Sequence, residues 1–316
     1  MQPIFVAVSV TRRVVLPLLL ATSGLLAQPA PEASRLMARL SALSADSMQG
    51  RRAGTPDAAR ARAWIIRELQ SIGVSPLGAR YESPFTIRSR RPTADTLGVN
   101  LLARIPGRRP DGPVLVLSAH YDHVGVQNGL IHNGADDNAS GCVALLAIAE
   151  QLKANPPEHD VILAFFDAEE SGLHGARAFV AALPIARERI ALNVNFDMVA
   201  RQDRGAIWVA GTSHTPMLRP LAELAAKNAR IPVRFGHDTK DLPRGDDWTQ
   251  SSDHGPFHSA GIPFLYLGVE DHADYHQPGD DADKVDPRFF HAVVDFAIQL
   301  VQRLDSALPT IRRPAQ

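Results

Sequence analysis

Beyond about residue 34 the chain alternates between two hydrophobic rhythms. Short runs dense in Val, Ile, Leu and Phe occupy residues 98–105, 113–118, 160–166, 190–196, 206–210 and 262–267, and each reads as a buried strand. The run DVILAFF at 160–166 is wholly apolar after its first residue, as a central strand covered on both faces should be. Between several of these runs, apolar residues recur three and four apart. One such stretch opens at Thr55-Pro56-Asp57, presents Ala61, Ile65, Leu69 and Ile72 on one face, and ends at Gly73. A second covers 138–152, with Cys142, Leu145, Ala149 and Leu152 along one stripe. The last starts at Asp286-Pro287 and turns Phe290, Val293, Val294, Ala297, Leu300 and Leu304 inward. Strands alternating with helices predict an α/β sandwich around a mostly parallel sheet. No repeat, low-complexity tract or linker divides the chain, so residues 31–316 are expected to form a single domain.

The N-terminus adds a different pattern. Arg12 and Arg13 precede a mainly apolar run at 14–27, and small residues and prolines follow. That is the order of a secretory signal, and it predicts a removable segment at 1–30 and a periplasmic or extracellular protein. The run is shorter than the roughly 20 residues that span a bilayer, so no membrane attachment is expected after cleavage. Lys+Arg number 33 against Asp+Glu 34 in 316 residues, a balance that speaks against a nucleic-acid partner. The single cysteine, Cys142, excludes a disulfide framework and a Cys-rich metal site, and it reads as core packing.

Twelve histidines are more informative, because several cluster with carboxylates just past the apolar runs. Ligands of open α/β sheets bind beyond the carboxyl ends of the strands. After 113–118 comes AHYDHVG, with His120 and Asp122. After 160–166 comes DAEESGLHG, with Glu169 and Glu170. The run 190–196 ends in Asp197. HNGADDNASG places Asp136 and Asp137 before a helix, and DHADYHQPGDD offers His272 and His276. Singly, each residue reads as well as a turn or a cap. Together they deliver imidazoles and carboxylates to one predicted sheet edge. Such a set without cysteine suits zinc, and the surplus of carboxylates points to two ions sharing a bridging group. Three ligating carboxylates plus one hydroxide would balance two divalent cations. His123, His132, His174, His237 and His291 are left as ordinary surface or packing residues, and Asp280, Asp281 and Asp283 as a solvated turn.

HYDHVG, GADDNASG, AEESGLHGA, NFDM and YHQPGD, in that order, resemble the co-catalytic zinc aminopeptidases of the bacterial leucyl aminopeptidase type. Glutamate carboxypeptidase II and glutaminyl cyclase belong to the same superfamily. SADSMQGRRAGTPDAARARAWIIRELQSIGV and SSDHGPFHSAGIPFLYL extend the likeness over nearly all of the mature chain. The resemblance implies a zinc-exopeptidase-like three-layer sandwich with a mixed, mostly parallel central sheet, and a bare catalytic domain without a protease-associated insert. It implies two zinc ions held by His120, Asp137, Glu170, Asp197 and His276. Asp137 would bridge, with His120 and Asp197 on one ion and Glu170 and His276 on the other. Glu169 matches the general base that acts on a metal-bridging hydroxide. Asp122 matches a carboxylate that orients His120. The family often has a cis peptide after its bridging Asp, here Asp137–Asn138.

The implied activity is removal of N-terminal residues from peptides with a free N-terminus. A metallo-carboxypeptidase or N-acyl amino acid deacylase on the same dimetal site is the alternative, and a non-catalytic peptide-binding protein is the alternative of another class. Many relatives carry Arg before the SDH tripeptide, where this chain has Gln250 and Ser251, so no carboxylate pocket is evident. Arg201, Arg204 and Arg244 stay without a role. No G-x-S-x-G elbow and no HExxH occurs.

Overall fold

Leu36, Leu40 and Leu43 recur at helical spacing and are buried along α1 (Ala33–Leu43). The computed structural model describes residue 1 and residues 33–88, 95–239, 241–243 and 245–311; the expected signal segment after Met1, and Arg244, lie outside the described residues. Helix α2 (Pro56–Ile72) begins where the sequence asks it to. The Thr55 side chain accepts from Ala58 N, Pro56 fills the first turn, and Gly73 closes the helix in a left-handed conformation at φ 76°. After it come β1 (Ser75–Pro76), β2 (Glu82–Ile87), β3 (Thr96–Ile105), β4 (Val114–His120) and a small hairpin, β5 (Gly125–Gln127) and β6 (Leu130–His132).

Next are α3 (Gly141–Ala154), β7 (Val161–Phe166), α4 (His174–Ala181), β8 (Ile190–Phe196), β9 (Ile207–Ala210), α5 (Arg219–Ala226) and β10 (Val233–Phe235). The last elements are α6 (His254–Ser259), β11 (Phe264–Gly268) and α7 (Pro287–Ala307). Helix α7 is capped by Asp286, whose side chain accepts from Arg288 N at 2.7 Å, and all six of its expected inward residues are buried.

Among the described residues, nine strands form one sheet in the order β1-β3-β7-β4-β8-β11-β9-β10, with β2 also paired to β3, and β5 and β6 pair separately. Strands β7, β4, β8 and β11 are mutually parallel, whereas β3 joins β7 and β9 joins β11 antiparallel. Alternate residues separate the two faces. Leu101, Leu115, Leu117, Leu163, Phe165 and Val194 pack with α1, α2, α3 and α7 in the larger core. Leu102, Val116, Ile162 and Phe166 pack with Ala176 and Phe179 of α4 and Phe257 of α6. The result is the expected α/β sandwich of three layers, its central sheet mixed but parallel where it matters. That parallel register aligns the carboxyl ends of β4, β7, β8 and β11, with His120 opposite Phe166.

Some elements were not readable from the apolar pattern. Strand β2 alternates exposed and half-buried residues at the border of the sheet, and β1, β5, β6 and β10 are each two or three residues long. The helix expected at 138–152 starts at Gly141, because residues 135–140 form one wide turn in which Asp137 and Asn138 depart from helical geometry. The Asp137–Asn138 peptide is cis.

A buried arginine ties these parts together. Arg51 is fully buried, and its guanidinium donates to the carbonyls of Leu43, Tyr121, Asn133 and Gly134. It therefore joins the end of α1, the turn after β4 and the turn before α3. Replacing Arg51 with Met should strand those carbonyls and lower stability by about 3–5 kcal/mol, since hydrogen bonds to a charged donor and buried orphan acceptors each carry about 1–3 kcal/mol. Thermal unfolding followed by circular dichroism should show a fall in Tm on the order of 10 °C.

Candidate metal centre

Each side chain of the candidate centre is set by a strand end or by the turn that follows it. His120 is the last residue of β4, and Asp197 directly follows β8. Glu169 and Glu170 lie in the turn after β7. That turn is held by Asp167, which accepts from Val99 N at 2.8 Å, and by Asp122, whose Oδ1 accepts from Glu169 N at 3.0 Å. The Asp137 turn is bonded across to the segment after β8. Asn138 donates to Phe196 O and accepts from Gly141 N, Ser140 Oγ accepts from Val199 N, and Asp136 accepts from Ala200 N. Gly141 must be glycine here, because a Cβ would run into Phe196 O and the Asn138 side chain.

The five expected ligands come together. Asp137 lies in the middle, with Oδ1 3.3 Å from His120 Nε2 and Oδ2 3.0 Å from His276 Nε2. His120 Nε2 is also 3.2 Å from Asp197 Oδ1, and His276 Nε2 is 3.0 Å from Glu170 Oε2. Two groups of donor atoms therefore flank one carboxylate. Donors around a tetrahedral zinc with bonds of about 2.0 Å stand roughly 3.3 Å apart, so these spacings and this N/O donor set fit zinc. Ligand-capable atoms of His120, Glu169 and Asp197 lie within 4.8 Å of one another, as do those of His123, Asp137 and Glu170.

The carboxylates and imidazoles of the cluster strongly perturb one another. Burial alone would raise Asp137, but the facing His123 and hydrogen bonds with His120 and His276 hold it well below the usual carboxylate range. Hydrogen bonds to Asp137 and Glu170 push His276 up to about 10. Glu169 behaves differently. Burial, with the nearby charges of Asp253, Asp197 and Glu170, keeps its carboxyl well above the ordinary value, and His120 opposes this only in part.

Other candidate residues surround these five. The Asp122 carboxylate is 3.7 Å from His120 Nδ1, whereas the Asp122 backbone carbonyl is closer, at 3.2 Å. Asp122 thus reaches His120 mainly through its main chain, while its carboxylate holds the Glu169 turn. His272 is buried with Nε2 3.3 Å from Asp136 Oδ2, behind Asp137. Arg201 is engaged with Asp203 and Asp274, and Arg204 lies at 3.9 Å from Glu270.

Three residues escaped the sequence reading. His123, taken as ordinary, is buried with Nδ1 2.6 Å from Glu170 Oε1. Asp280, taken as part of a solvated turn, is fully buried and accepts from the backbone N–H groups of Asp136 and Asp137 at 3.0–3.1 Å. Asp253 of the SDH tripeptide is buried with both carboxylate oxygens unpartnered, and burial raises it to about 7. A second imidazole one residue after Asp122 was the only available signal for His123. Nothing in GDD separates the buried Asp280 from its half-buried neighbours.

A cavity of about 360 Å³ opens over the cluster, bordered by His120, Asp137, Glu169, Asp197 and His276. Its outer wall includes Trp248, Tyr266 and Tyr275, with Asp246, Glu270, Asp271 and Arg204 at the rim. A cavity of about 520 Å³ lies at the opposite ends of β4 and β7, away from these groups.

Comparison with known proteins agrees with the geometry. The chain is 31% identical over 187 residues to an aminopeptidase, YwaD, of Bacillus subtilis, an alignment covering 56% of this chain. It spans only 38% of that relative's length. The fold is similar to a zinc-dependent exopeptidase from Parabacteroides distasonis, at 16% identity and a TM-score of 0.68 over 87% of this chain and 99% of the other. It is likewise similar to glutaminyl cyclase from Porphyromonas gingivalis, at 19% identity and a TM-score of 0.67 over 85% and 97%. The sequence profile of Peptidase family M28 matches residues 100–301, a span that holds every residue of the cluster, and the chain belongs to that family.

Proposed function

We propose that this chain is an exported di-zinc aminopeptidase. The observation that carries the reading is Asp137, whose two carboxylate oxygens face different imidazoles, His120 and His276, 3.3 and 3.0 Å away. In this reading one ion is held by His120 and Asp197, the other by Glu170 and His276, and Asp137 serves both. Bound there, the pair of ions would supply a lowered water pKa and a positive field for a polarised carbonyl oxygen. Glu169 borders the cavity and is not among the five ligands. Its raised pKa suits a group that takes a proton from the attacking water and returns it to the leaving amine. Asp122 fixes where Glu169 stands by accepting its backbone N–H.

The cavity rim supports an aminopeptidase over a carboxypeptidase. A free α-ammonium needs carboxylates, and Asp246 and Asp271 are at hand. A terminal carboxylate needs an unengaged cation. Among the described lining residues the arginine is Arg204, and it faces Glu270. Export is supported by the order of charged, apolar and small residues at 1–30. Among the described residues no helix is long and apolar enough to cross a membrane.

The reading predicts hydrolysis of aminoacyl anilides, abolished by a chelator and restored by zinc, with N-acyl amino acids untouched. Preference for the N-acyl substrates would refute it. Glu169→Gln should keep the fold and two zinc ions per chain while kcat falls by about 10²–10⁴-fold. A near wild-type rate would remove Glu169 from its role. Asp137→Ala should lose metal as well as rate, and retention of two ions by elemental analysis would contradict the bridging assignment.

A further inference from the structure

His123 has no part in the scheme above, yet it is among the most constrained side chains near it. It follows Asp122 in the turn after β4, and its side chain is fully buried. Nδ1 stands 2.6 Å from Glu170 Oε1 and 3.7 Å from Asp137 Oδ2. Nε2 is also buried and has no hydrogen-bond partner. On the other side lies Gly134, in a left-handed conformation at φ 55°, where an added Cβ would meet the imidazole ring at 2.5 Å. The main chain is therefore packed directly on the ring, which has no room to turn away.

An imidazole with one nitrogen against a carboxylate oxygen and the other facing nothing places its proton on the first. His123 thus donates from Nδ1 to Glu170 Oε1. The other oxygen of the same carboxylate, Oε2, is 3.0 Å from His276 Nε2. The two Glu170 oxygens are divided between two imidazoles, one on each side. Two ligands of a common zinc ion would stand roughly 3.3 Å apart. His120 and Asp197 meet that spacing at 3.2 Å, whereas 2.6 Å is the distance of a charge-assisted hydrogen bond.

We propose that His123 is a positioning residue for the second cation. Its N–H occupies Glu170 Oε1, so the carboxylate can offer that ion only Oε2. Asp137, Glu170 and His276 would then hold that ion through one atom each, and the remaining position would be left to water or substrate, as catalytic zinc requires. Direct ligation by His123 would close a four-ligand shell of the structural type. The inference rests on the dimetal reading, in which Glu170 and His276 hold that ion.

Two variants separate donation from bulk. His123→Leu keeps much of the volume without a donor, and His123→Asn keeps an N–H near the Nδ1 position. Zinc affinities of the metal-free proteins would be measured by competition with a chromophoric chelator. His123→Leu should weaken one of the two sites by about 10–100-fold and leave the other unchanged. His123→Asn should stay within about threefold of wild type. X-ray absorption of the zinc-loaded wild type should count two imidazoles over two ions, which tests the proposal even if the Leu variant does not fold. Three imidazoles, or an Asn variant as weak as the Leu variant, would make His123 a ligand and overturn it. Wild-type affinities in the Leu variant would also overturn it while leaving the dimetal reading intact. A wild-type protein that takes up fewer than two ions would overturn both.

Discussion

The organising constraint of this molecule is negative charge gathered out of water. Asp122, Asp136, Asp137, Asp197, Asp253 and Asp280 are all buried, and Glu169 and Glu170 stand among them. An isolated buried carboxylate is expensive, so such a group persists only with hydrogen bonds, cations or protons to balance it. Each of those remedies is in use here. Asp280 and Asp136 are satisfied largely by backbone N–H groups, Asp137 and Glu170 by imidazoles, and Asp253 and Glu169 by raised proton affinity. The three solutions correspond to three tasks. Backbone donors fix the turn, imidazoles neutralise the central carboxylates, and in the proposed function the raised proton affinity of Glu169 serves proton transfer.

The parallel centre of the sheet makes this gathering possible. Side chains from β4, from the turn after β7 and from the segment after β8 meet because those strands run together and end together. A buried polar ladder stiffens the same region. Ser118 on β4 donates to Asn195 on β8, and Asn195 donates to Ser252, next to Asp253. The SDH tripeptide is thereby tied to two strands that carry His120 and Asp197. Arg51 does the same on the opposite flank, where its guanidinium gathers carbonyls from the turns that hold Asp122 and Asp137. Packing alone would align the strands. These polar ties also fix how the strand ends and turns stand relative to one another, as a preorganised site needs.

The long apolar elements were legible because burial on both faces leaves a continuous signal. Strand β8 matched its expected bounds, and α2 and α7 began at Thr55 and Asp286 because those side chains accept from the first turn. Elements such as β2 and α6 were not legible, since an edge strand and a helix of six residues hold too few apolar positions to show a period. The candidate imidazoles and carboxylates were legible as a group because strand ends converge, and the resemblance, not the spacing, singled out five of them as expected ligands. His123 and Asp280 were not. Each looks like a neighbouring turn residue until the fold buries it, and burial is decided by segments far away in sequence, Gly134 for one and Asp136 for the other.

Asp122 shows why motif and mechanism need separate treatment. The family resemblance implied a carboxylate that orients His120; its Oδ1 lies 3.7 Å from the ring nitrogen while accepting from Glu169 N, and its backbone carbonyl lies nearer to the ring. Both arrangements rigidify the cluster, but they couple different parts. With the carboxylate bonded to Glu169 N, the turn bearing His120 and the turn bearing the two glutamates become one unit. His123 to Glu170 is a second bond between the same two turns. The separation between Glu169 and Glu170, to which the proposed function gives proton handling and metal ligation, is thus set by two hydrogen bonds from adjacent positions, Asp122 and His123. Shifting one turn against the other would move both glutamates together, which preserves the spacing between them that the proposed chemistry depends on.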